Sequence, residues 1–275
     1  MSPLSLGWFT TGRGPGSFGL LTAVQEAIER GEIEARIAVL FCNRQYGEAE
    51  PTDRLLDYAA AKDIPTVTVS SVAFRKQTGG ERSRPGQPLP AWRAAYDQAV
   101  ADALSAHEFE FGVLAGYMLI TTPEFCQRFP LLNLHPAAPG GPKGTWQETI
   151  WQLIEQAATE SGVSTHVVTS ELDEGPIVSF CRYSLQVPEW DLRNAHETAE
   201  LRVTYGEDLP LFKAIRDLGL RREQPLVLET LRAAGQRRFT VRPGRALDPE
   251  GNPLAPLDLT EVVEQALHSA TTSRR

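Results

Sequence analysis

The sequence predicts an α/β protein with a mostly parallel, doubly wound sheet and a small C-terminal extension. Apolar strand-like segments alternate with segments of helical spacing through the first half of the chain. The candidate strand 36–42 is almost continuously apolar, as expected when helices cover both faces of a sheet. The candidate strand 4–9 leads through a glycine-rich loop into a helix, a unit typical of such sheets.

The remaining elements follow from the same periodicities and from local start and stop signals. We predict strands at 4–9, 36–42, 66–69, 109–115, 131–135, 163–169 and 176–187, and helices at 18–30, 52–61, 92–104, from Thr122 onward and from Thr145 to about 158. Thr122 and Pro123 resemble a helix start, and Thr145 with Glu148 forms a capping box.

The loop 75–90 and the C-terminal part of the chain carry weaker patterns. Residues 75–90 are rich in Gly, Pro, Arg and Lys and predict a surface loop. A long helical stretch to about residue 218 closes a predicted catalytic domain, 1–219. The extension, 220–275, is expected to hold one amphipathic helix, a short basic strand-like piece and a proline-containing tail.

Composition narrows the function classes. The formal net charge is −8 and the pI is about 5.3, which disfavours a surface built for nucleic acid or anionic lipid. Cys42, Cys126 and Cys181 are far apart and form no metal-ligand pattern. No apolar run approaches the ~20 residues that span a bilayer, and no signal peptide is recognisable. We therefore expect a cytoplasmic protein without membrane or nucleic-acid partners.

Asn133 and His135 are the first candidate site residues. They are two apart on a strand, so both side chains point the same way at its carboxyl end, where open α/β sheets build their sites. An amide and an imidazole suit an acyl-transfer centre, because one stabilises an oxyanion and the other moves protons. Asp173, in a turn between two strands, could orient that imidazole. The alternative is that all three bond only local backbone.

The loop from Gly14 to Gly19 fits GxGxxG and leaves three interpretations open. A dinucleotide site would need an acidic residue after the second strand, where the chain has Cys42-Asn43-Arg44, so only NADP with Arg44 on its 2′-phosphate remains. A phosphate could instead bind the free N–H groups of the helix N-terminus. The third interpretation is a tight turn without a ligand.

Three separated motifs carry a family resemblance. They are Ala115-Gly116-Tyr117-Met118, then Leu132-Asn133-Leu134-His135-Pro136, and finally the segment from Gly162 to Pro176 that contains Glu171-Leu172-Asp173. In order and spacing they resemble the phosphoribosylglycinamide formyltransferase family, a folate-dependent group with a Rossmann-like fold, over roughly residues 4–215. Methionyl-tRNA formyltransferase and formyltetrahydrofolate deformylase share the pattern more loosely.

The resemblance implies a one-carbon transferase that moves a formyl group from 10-formyltetrahydrofolate to an amine, without a metal or a covalent enzyme intermediate. Asn133 would bond the formyl oxygen, His135 would stabilise the oxyanion and shuttle a proton, and Asp173 would hold His135. The folate pocket would be walled by Tyr117, Met118, Leu119, Ile120, Leu172 and Glu174.

The acceptor is less well defined, because the chain departs from the family pattern near its binding residues. The resemblance implies glycinamide ribonucleotide, a purine precursor, or another phosphorylated sugar amine, bound by Arg13, Gly14, Gly16, Ser17 and Lys143. Phe18 stands where the family has Asn, and Leu119 stands where it commonly has Arg. Arg13 could compensate at the phosphate.

Several alternatives stay open. Water could replace the amine, which would make the protein a 10-formyltetrahydrofolate hydrolase. A tRNA acceptor is disfavoured because residues 206–275 contain 11 Lys/Arg against 10 Asp/Glu. The loop cations Arg75, Lys76, Arg82 and Arg84 are either solvated or close over an anionic substrate. An NADP-dependent oxidoreductase is the rival from another class, and a homodimer is compatible with the sequence.

Overall fold

The computed structural model describes residues 2–83 and 87–272, so the predicted loop cation Arg84 lies outside the described residues. The strands are β1 Leu4–Thr10, β2 Ala35–Cys42, β3 Thr66–Thr68, β4 Phe111–Leu114, β5 Leu131–His135, β6 Glu160–Val167, β7 Ile177–Ser184, β8 Thr240–Arg242, β9 Arg245–Leu247 and β10 Leu257–Asp258. The α-helices are α1 Pro15–Glu29, α2 Glu50–Ala61, α3 Ser71–Gln77, α4 Trp92–Ala103, α5 Pro123–Arg128, α6 Trp146–Glu155, α7 Trp190–Ala195, α8 Thr198–Tyr205, α9 Pro210–Gly235 and α10 Thr260–Thr272.

Eight of these strands form one sheet in the order β10-β7-β6-β5-β4-β1-β2-β3. The pairs β1–β2, β1–β4, β2–β3, β4–β5 and β10–β7 are parallel, whereas β6–β7 is antiparallel. The strands β8 and β9 form a separate hairpin. The predicted fold class, a mostly parallel sheet with flanking helices, is confirmed.

The first of two compact units comprises residues 2–133, 167–176 and 231–253. Its core is strongly aromatic, and Phe9 of β1 lies 5.6 Å from Phe41 of β2 between ring centroids. Tyr96 of α4 is fully buried in the same cluster and donates a hydrogen bond of 2.7 Å to the Val69 carbonyl. The central strands β1 and β2 are apolar along most of their length because both of their faces are buried in the core.

The second unit comprises residues 134–166, 177–230 and 254–272. Trp151 of α6 and Phe212 of α9 pack with ring centroids 5.1 Å apart in its core. Three buried hydroxyls satisfy one another along a chain, in which Ser179 bonds Thr165 at 2.7 Å and Thr230 at 2.6 Å. This series of hydrogen bonds ends where the Thr230 hydroxyl donates to the Leu226 carbonyl, so each of the three hydroxyls has a partner.

Some elements differ from the sequence prediction. The predicted loop 75–90 begins inside α3, a short helix that Ser70 caps by accepting from the Ala73 N–H at 3.0 Å. The single helical stretch predicted to residue 218 consists of α7, α8 and the first part of α9. The division into 1–219 and 220–275 stays a prediction, and its boundary falls within α9. Within the described ranges, no helix is long and apolar enough to cross a membrane.

The C-terminal helix α10 is joined to α9 by one arginine. Arg222 donates to Glu264 of α10 at 2.6 Å and to the Leu218 carbonyl at 2.8 Å. Its guanidinium also lies 4.4 Å from the centre of the Tyr183 ring on β7. Because its side chain is only 11% exposed, these contacts are weakly screened by water.

We predict that Arg222→Ala lowers the free energy of unfolding by about 2 kcal/mol, since it removes a charged hydrogen bond and a cation–π contact together. Arg221→Ala is the matched control, because that neighbour pairs with Asp217 in solvent and should cost under ~1 kcal/mol. Urea denaturation measures both. Equal losses in the two variants would contradict the proposed role of Arg222.

Candidate active site

The carboxyl edge of the first unit gathers three loops, because β2, β1 and β4 are parallel and end on the same side. Two of these loops are bonded directly to each other. The Thr11 N–H donates to the Gly116 carbonyl at 3.1 Å, and the Met118 N–H donates to the Thr11 hydroxyl at 2.9 Å. Asn133 stands on β5, in register with Leu114 of β4. Its predicted position at the end of a parallel strand is confirmed.

The glycine-rich loop turns into α1 at Gly14, the extended N-cap residue, and Pro15 occupies the start of the helix. Ser17 is buried, and its hydroxyl lies so close to Gly116 that a Cβ at position 116 would collide with it. Gly116 also has a φ of +70°, which favours glycine. Arg13 and Gly16 are exposed at the loop surface.

Phe18, the residue that replaces the Asn of the family pattern, points toward α2. Its ring packs edge-on against Tyr58, with centroids 5.5 Å apart, and the Arg54 guanidinium lies 5.7 Å from it. The side chain is therefore engaged in an apolar and cation–π contact, and it offers a phosphate no hydrogen bond.

The loop after β4 alternates between the core and solvent. Tyr117 and Leu119 pack against the aromatic core, and burial raises the pKa of the Tyr117 hydroxyl. Met118 and Ile120 are 67% and 47% exposed. Of the four residues predicted to wall a folate pocket on this loop, two therefore present their side chains to solvent and two support the loop from beneath.

A buried ion pair on α4 fastens this loop. Arg93 and Asp97 are almost fully buried and their charged atoms lie 3.4 Å apart. Arg93 donates to the Ile120 carbonyl at 2.6 Å, and Asp97 accepts from the Thr122 N–H at 2.7 Å. Burial raises the pKa of the Asp97 carboxyl, and the Thr122 N–H and Arg93 act in the opposite direction. The predicted helix start at Thr122 is thus held by a hydrogen bond from its backbone N–H to the Asp97 carboxylate.

The turn that carries Asp173 belongs to the first unit as well. Asp173 has a φ of +55°, a left-handed conformation that Asp tolerates better than most residues. A Cβ at Gly175 would collide with the Val167 carbonyl, so this position requires glycine. The Val168 N–H donates to the Leu131 carbonyl of β5 at 2.8 Å. Leu172, at the tip of the turn, is 53% exposed, and Glu174 is exposed too.

His135 belongs to the second unit, where its ring is held in one orientation. It is 7% exposed, and Nε2 lies 2.9 Å from the Pro142 carbonyl oxygen. A carbonyl only accepts hydrogen bonds, so Nε2 carries the proton, and a neutral ring has its lone pair on Nδ1. The buried His166 of β6 packs edge-on against it at 6.1 Å. Sequence reasoning gave His166 no role, although it stands within the third motif.

Lys143 and Glu148 lie near the start of α6 in this unit. The predicted capping box is confirmed, because Thr145 accepts from the Glu148 N–H and the Glu148 carboxylate accepts from the Thr145 N–H. Those bonds hold the pKa of Glu148 below its ordinary range. Lys143 is exposed, and its carbonyl accepts from Gln152. Trp146 packs on Phe212 beneath Arg216, which is a core contact.

A mostly parallel sheet with polar groups at its carboxyl edge defines the class of open α/β proteins that bind ligands at that edge. A protein-family sequence model with the description Formyl transferase matches residues 14–189, which is more than half of the chain. The chain belongs to the formyl transferase family. The matched span contains Asn133, His135 and Asp173, but the joint action of these residues stays a prediction.

Curated relatives agree with this assignment. The phosphoribosylglycinamide formyltransferase of Haemophilus influenzae is 42% identical over 162 residues, which cover 58% of this chain and 64% of that protein. The formyltetrahydrofolate deformylase of Escherichia coli K12 is 38% identical over 92 residues, or 31% of each chain. The chain thus spans less than two thirds of each of these relatives.

Two crystal structures support the fold alone, since both are under 25% identical. Phosphoribosylglycinamide formyltransferase from Coxiella burnetii has a TM-score of 0.64 at 21% identity, covering 93% of this chain and 99% of that one. Glycinamide ribonucleotide transformylase 1 from Symbiobacterium toebii has a TM-score of 0.62 at 22% identity, covering 89% and 93%.

The buried ion pair yields a stability prediction. Arg93→Ala should lower the free energy of unfolding by about 3–5 kcal/mol, because it leaves the Asp97 carboxylate buried without its partner. Arg128→Ala is the matched control. Arg128 of α5 pairs in solvent with Asp102 of α4, the helix that carries Arg93, at 4.0 Å, so its loss should cost under ~1 kcal/mol. Chemical denaturation checks both. A loss at Arg93 no larger than that at Arg128 would contradict this account.

Proposed function

We propose that this protein transfers the formyl group of 10-formyltetrahydrofolate to the amine of a small phosphorylated acceptor, of which glycinamide ribonucleotide is the leading candidate. The observation that carries the proposal is the family match over residues 14–189, which includes the complete Asn133, His135 and Asp173 set. The relative from H. influenzae, named for this activity, supports the choice of acceptor.

The folate would bind against exposed apolar side chains of the first unit. Met118, Ile120 and Leu172 are each about half exposed or more, which is unusual for large apolar groups and fits a flat heteroaromatic ring. Tyr117 and Leu119 would support this wall from the core side, and Glu174 would border it. Bound there, 10-formyltetrahydrofolate supplies an activated formyl carbon.

Asn133 and His135 would act on the formyl oxygen and on the protons. The Asn133 amide donates a hydrogen bond to the oxygen as negative charge develops on it, which lowers the barrier most in a site that excludes water. His135 is held by its bond to the Pro142 carbonyl, which fixes the orientation of the ring. In its charged form it stabilises the same oxygen, and in its neutral form it accepts a proton.

Asp173 would complete the centre as a charge partner. A carboxylate favours the imidazolium form of His135 and accepts the proton that the attacking amine loses. The left-handed turn and the glycine requirement at position 175 limit where the Asp173 carboxylate can lie. The chemistry proposed for these residues needs no metal.

The acceptor phosphate would bind at the N-terminus of α1. The N–H groups of the first turn have no partner within a helix, and the helix dipole favours an anion there. Gly14, Gly16 and Ser17 supply this turn, and the exposed Arg13 precedes it. Lys143 is exposed ahead of α6 and is the second cation we assign to the acceptor.

Hydrolysis is the second candidate function, favoured by the match to formyltetrahydrofolate deformylase. The two are separated by mixing purified protein with 10-formyltetrahydrofolate, with and without glycinamide ribonucleotide, and following tetrahydrofolate release. Release that depends on the amine supports transfer. Equal release in both mixtures would replace our proposal with hydrolysis.

We predict that His135→Ala lowers turnover by about 10²- to 10⁴-fold, which is the usual contribution of a general acid–base group. His107→Ala is the control, because His107 lies ahead of β4 at the opposite edge of the sheet and should leave turnover unchanged. Steady-state kinetics with a saturating acceptor measure both variants. Full turnover in His135→Ala would remove His135 from the proposed centre.

A further inference from the structure

A pocket lined mainly by charged residues opens in the first unit, and it shares Arg13 with the residues assigned to the acceptor phosphate. Its volume is about 430 Å³, within the range of small-molecule pockets. It is lined by Arg13 after β1, by Arg44 and Glu48 after β2, and by Val72, Ala73 and Lys76 of α3. Gly14, Gly16 and Ser17 are not among the residues that line it.

Arg44 is a rigid part of this pocket. Its side chain is 15% exposed, and Nη1 donates to the Asn43 carbonyl at 2.8 Å and to the Ser71 hydroxyl at 2.7 Å. Nε lies 3.5 Å from the Glu48 carboxylate. A guanidinium has two further N–H donors on Nη2, so these contacts hold the group in place without using its full capacity. A positioned arginine loses little entropy when it binds an anion.

The pocket is positive within an acidic protein. Arg13, Arg44 and Lys76 contribute three positive charges, and Glu48 is the one acid among the lining residues that the structure describes. Arg13 and Lys76 are exposed, so both can move toward a ligand. Three cations around one cavity repel each other, and an anion between them relieves this repulsion and gains charge-assisted hydrogen bonds. The formal net charge of the whole chain is −8, so this patch does not follow from composition.

We propose that this pocket is a binding site for a phosphate or diphosphate group, with Arg44 as the fixed ligand and Arg13 and Lys76 as mobile ones. The group belongs either to the far end of the formyl acceptor or to a separate phosphorylated ligand, and only the first source rests on the proposed function. Arg13 precedes the α1 N-terminus and adjoins both places, so an acceptor that occupied both would carry a second phosphate group beyond the single one of glycinamide ribonucleotide.

The test titrates the full-length protein with inorganic pyrophosphate and, separately, inorganic phosphate in a calorimeter at about 0.15 M salt, where charges outside the pocket are screened. We expect pyrophosphate to bind more tightly than phosphate, because it carries more charge for three cations to share. Lys76→Gln should weaken pyrophosphate binding by about three- to tenfold, since one charge-assisted contact is lost. Glu48→Gln should strengthen it several-fold, because it removes the acid from the pocket.

Arg75→Gln is the matched control. Arg75 neighbours Lys76 on α3, is not among the lining residues, and donates instead to the Gly80 carbonyl. The control removes the same charge at nearly the same place, so it should change pyrophosphate affinity by less than about twofold. Thermal unfolding confirms that each variant is folded. Absence of pyrophosphate binding, or equal effects of Lys76→Gln and Arg75→Gln, would overturn the proposal.

Kinetics then distinguish the two sources. Competitive inhibition of formyl transfer by pyrophosphate, together with a raised KM for the acceptor in Lys76→Gln, supports the acceptor as the source. Pyrophosphate binding without competition contradicts that source and assigns the pocket to a separate phosphorylated ligand. A protein that binds pyrophosphate but transfers no formyl group refutes the proposed function and leaves the pocket supported.

Discussion

The parallel pairing of β2, β1 and β4 is the constraint on which the rest of the first unit depends. It brings the ends of these strands to one edge, so that loops distant in sequence become neighbours. The pairing requires close packing beneath the edge. A Cβ at Gly112 of β4 would fall 2.5 Å from the Phe9 ring, so the absence of a side chain there lets Phe9 fill the centre of the aromatic core.

The loops at this edge are stabilised by very different means. The loop after β1 relies on one backbone bond from Thr11 to Gly116 and on the start of α1, whereas the loop after β4 is tied to the buried Arg93–Asp97 pair. A buried pair contributes little net stability but enforces one geometry, because separating its charges in the interior is costly. Burial of the Asp97 carboxyl away from water raises its pKa, and the nearby Arg93 charge opposes that shift. The exposure of Met118 and Ile120 follows from this fastening.

Local sequence signals predict most of the fold. The elements that they miss are those whose formation depends on residues distant in the sequence. The capping box at Thr145 and the strand ending in Asn133 and His135 are visible in short stretches, and both are confirmed. The helix α3 was missed because it is only seven residues long and depends on a cap at Ser70. The two-residue β10 exists only because β7 offers it an edge. No local pattern encodes such a partner.

The sequence singles out the candidate site residues by similar local signals, and their shared role stays a prediction. Asn133, His135 and Asp173 stand out as polar residues at strand ends, but His166 lies within a buried strand, where the sequence indicates core packing. The basic pocket was harder to foresee, because Arg44 and Lys76 come from different elements and meet only once β2 and α3 are in place. The sequence alone indicates Arg44 only as a possible ligand for a cofactor phosphate.

Phe18 limits how the glycine loop can bind an anion. An amide at this position could bond a phosphate directly, but the Phe18 ring is packed against Tyr58 and under Arg54, and it cannot serve. Whatever anion binds at this edge must then rely on main-chain N–H groups of α1 and on charged side chains. Arg13, Arg44 and Lys76 are the cations that the fold places there. The departure at Phe18 and the positive pocket are therefore consistent with a single change, in which charge replaces a neutral hydrogen bond as the means of anion recognition.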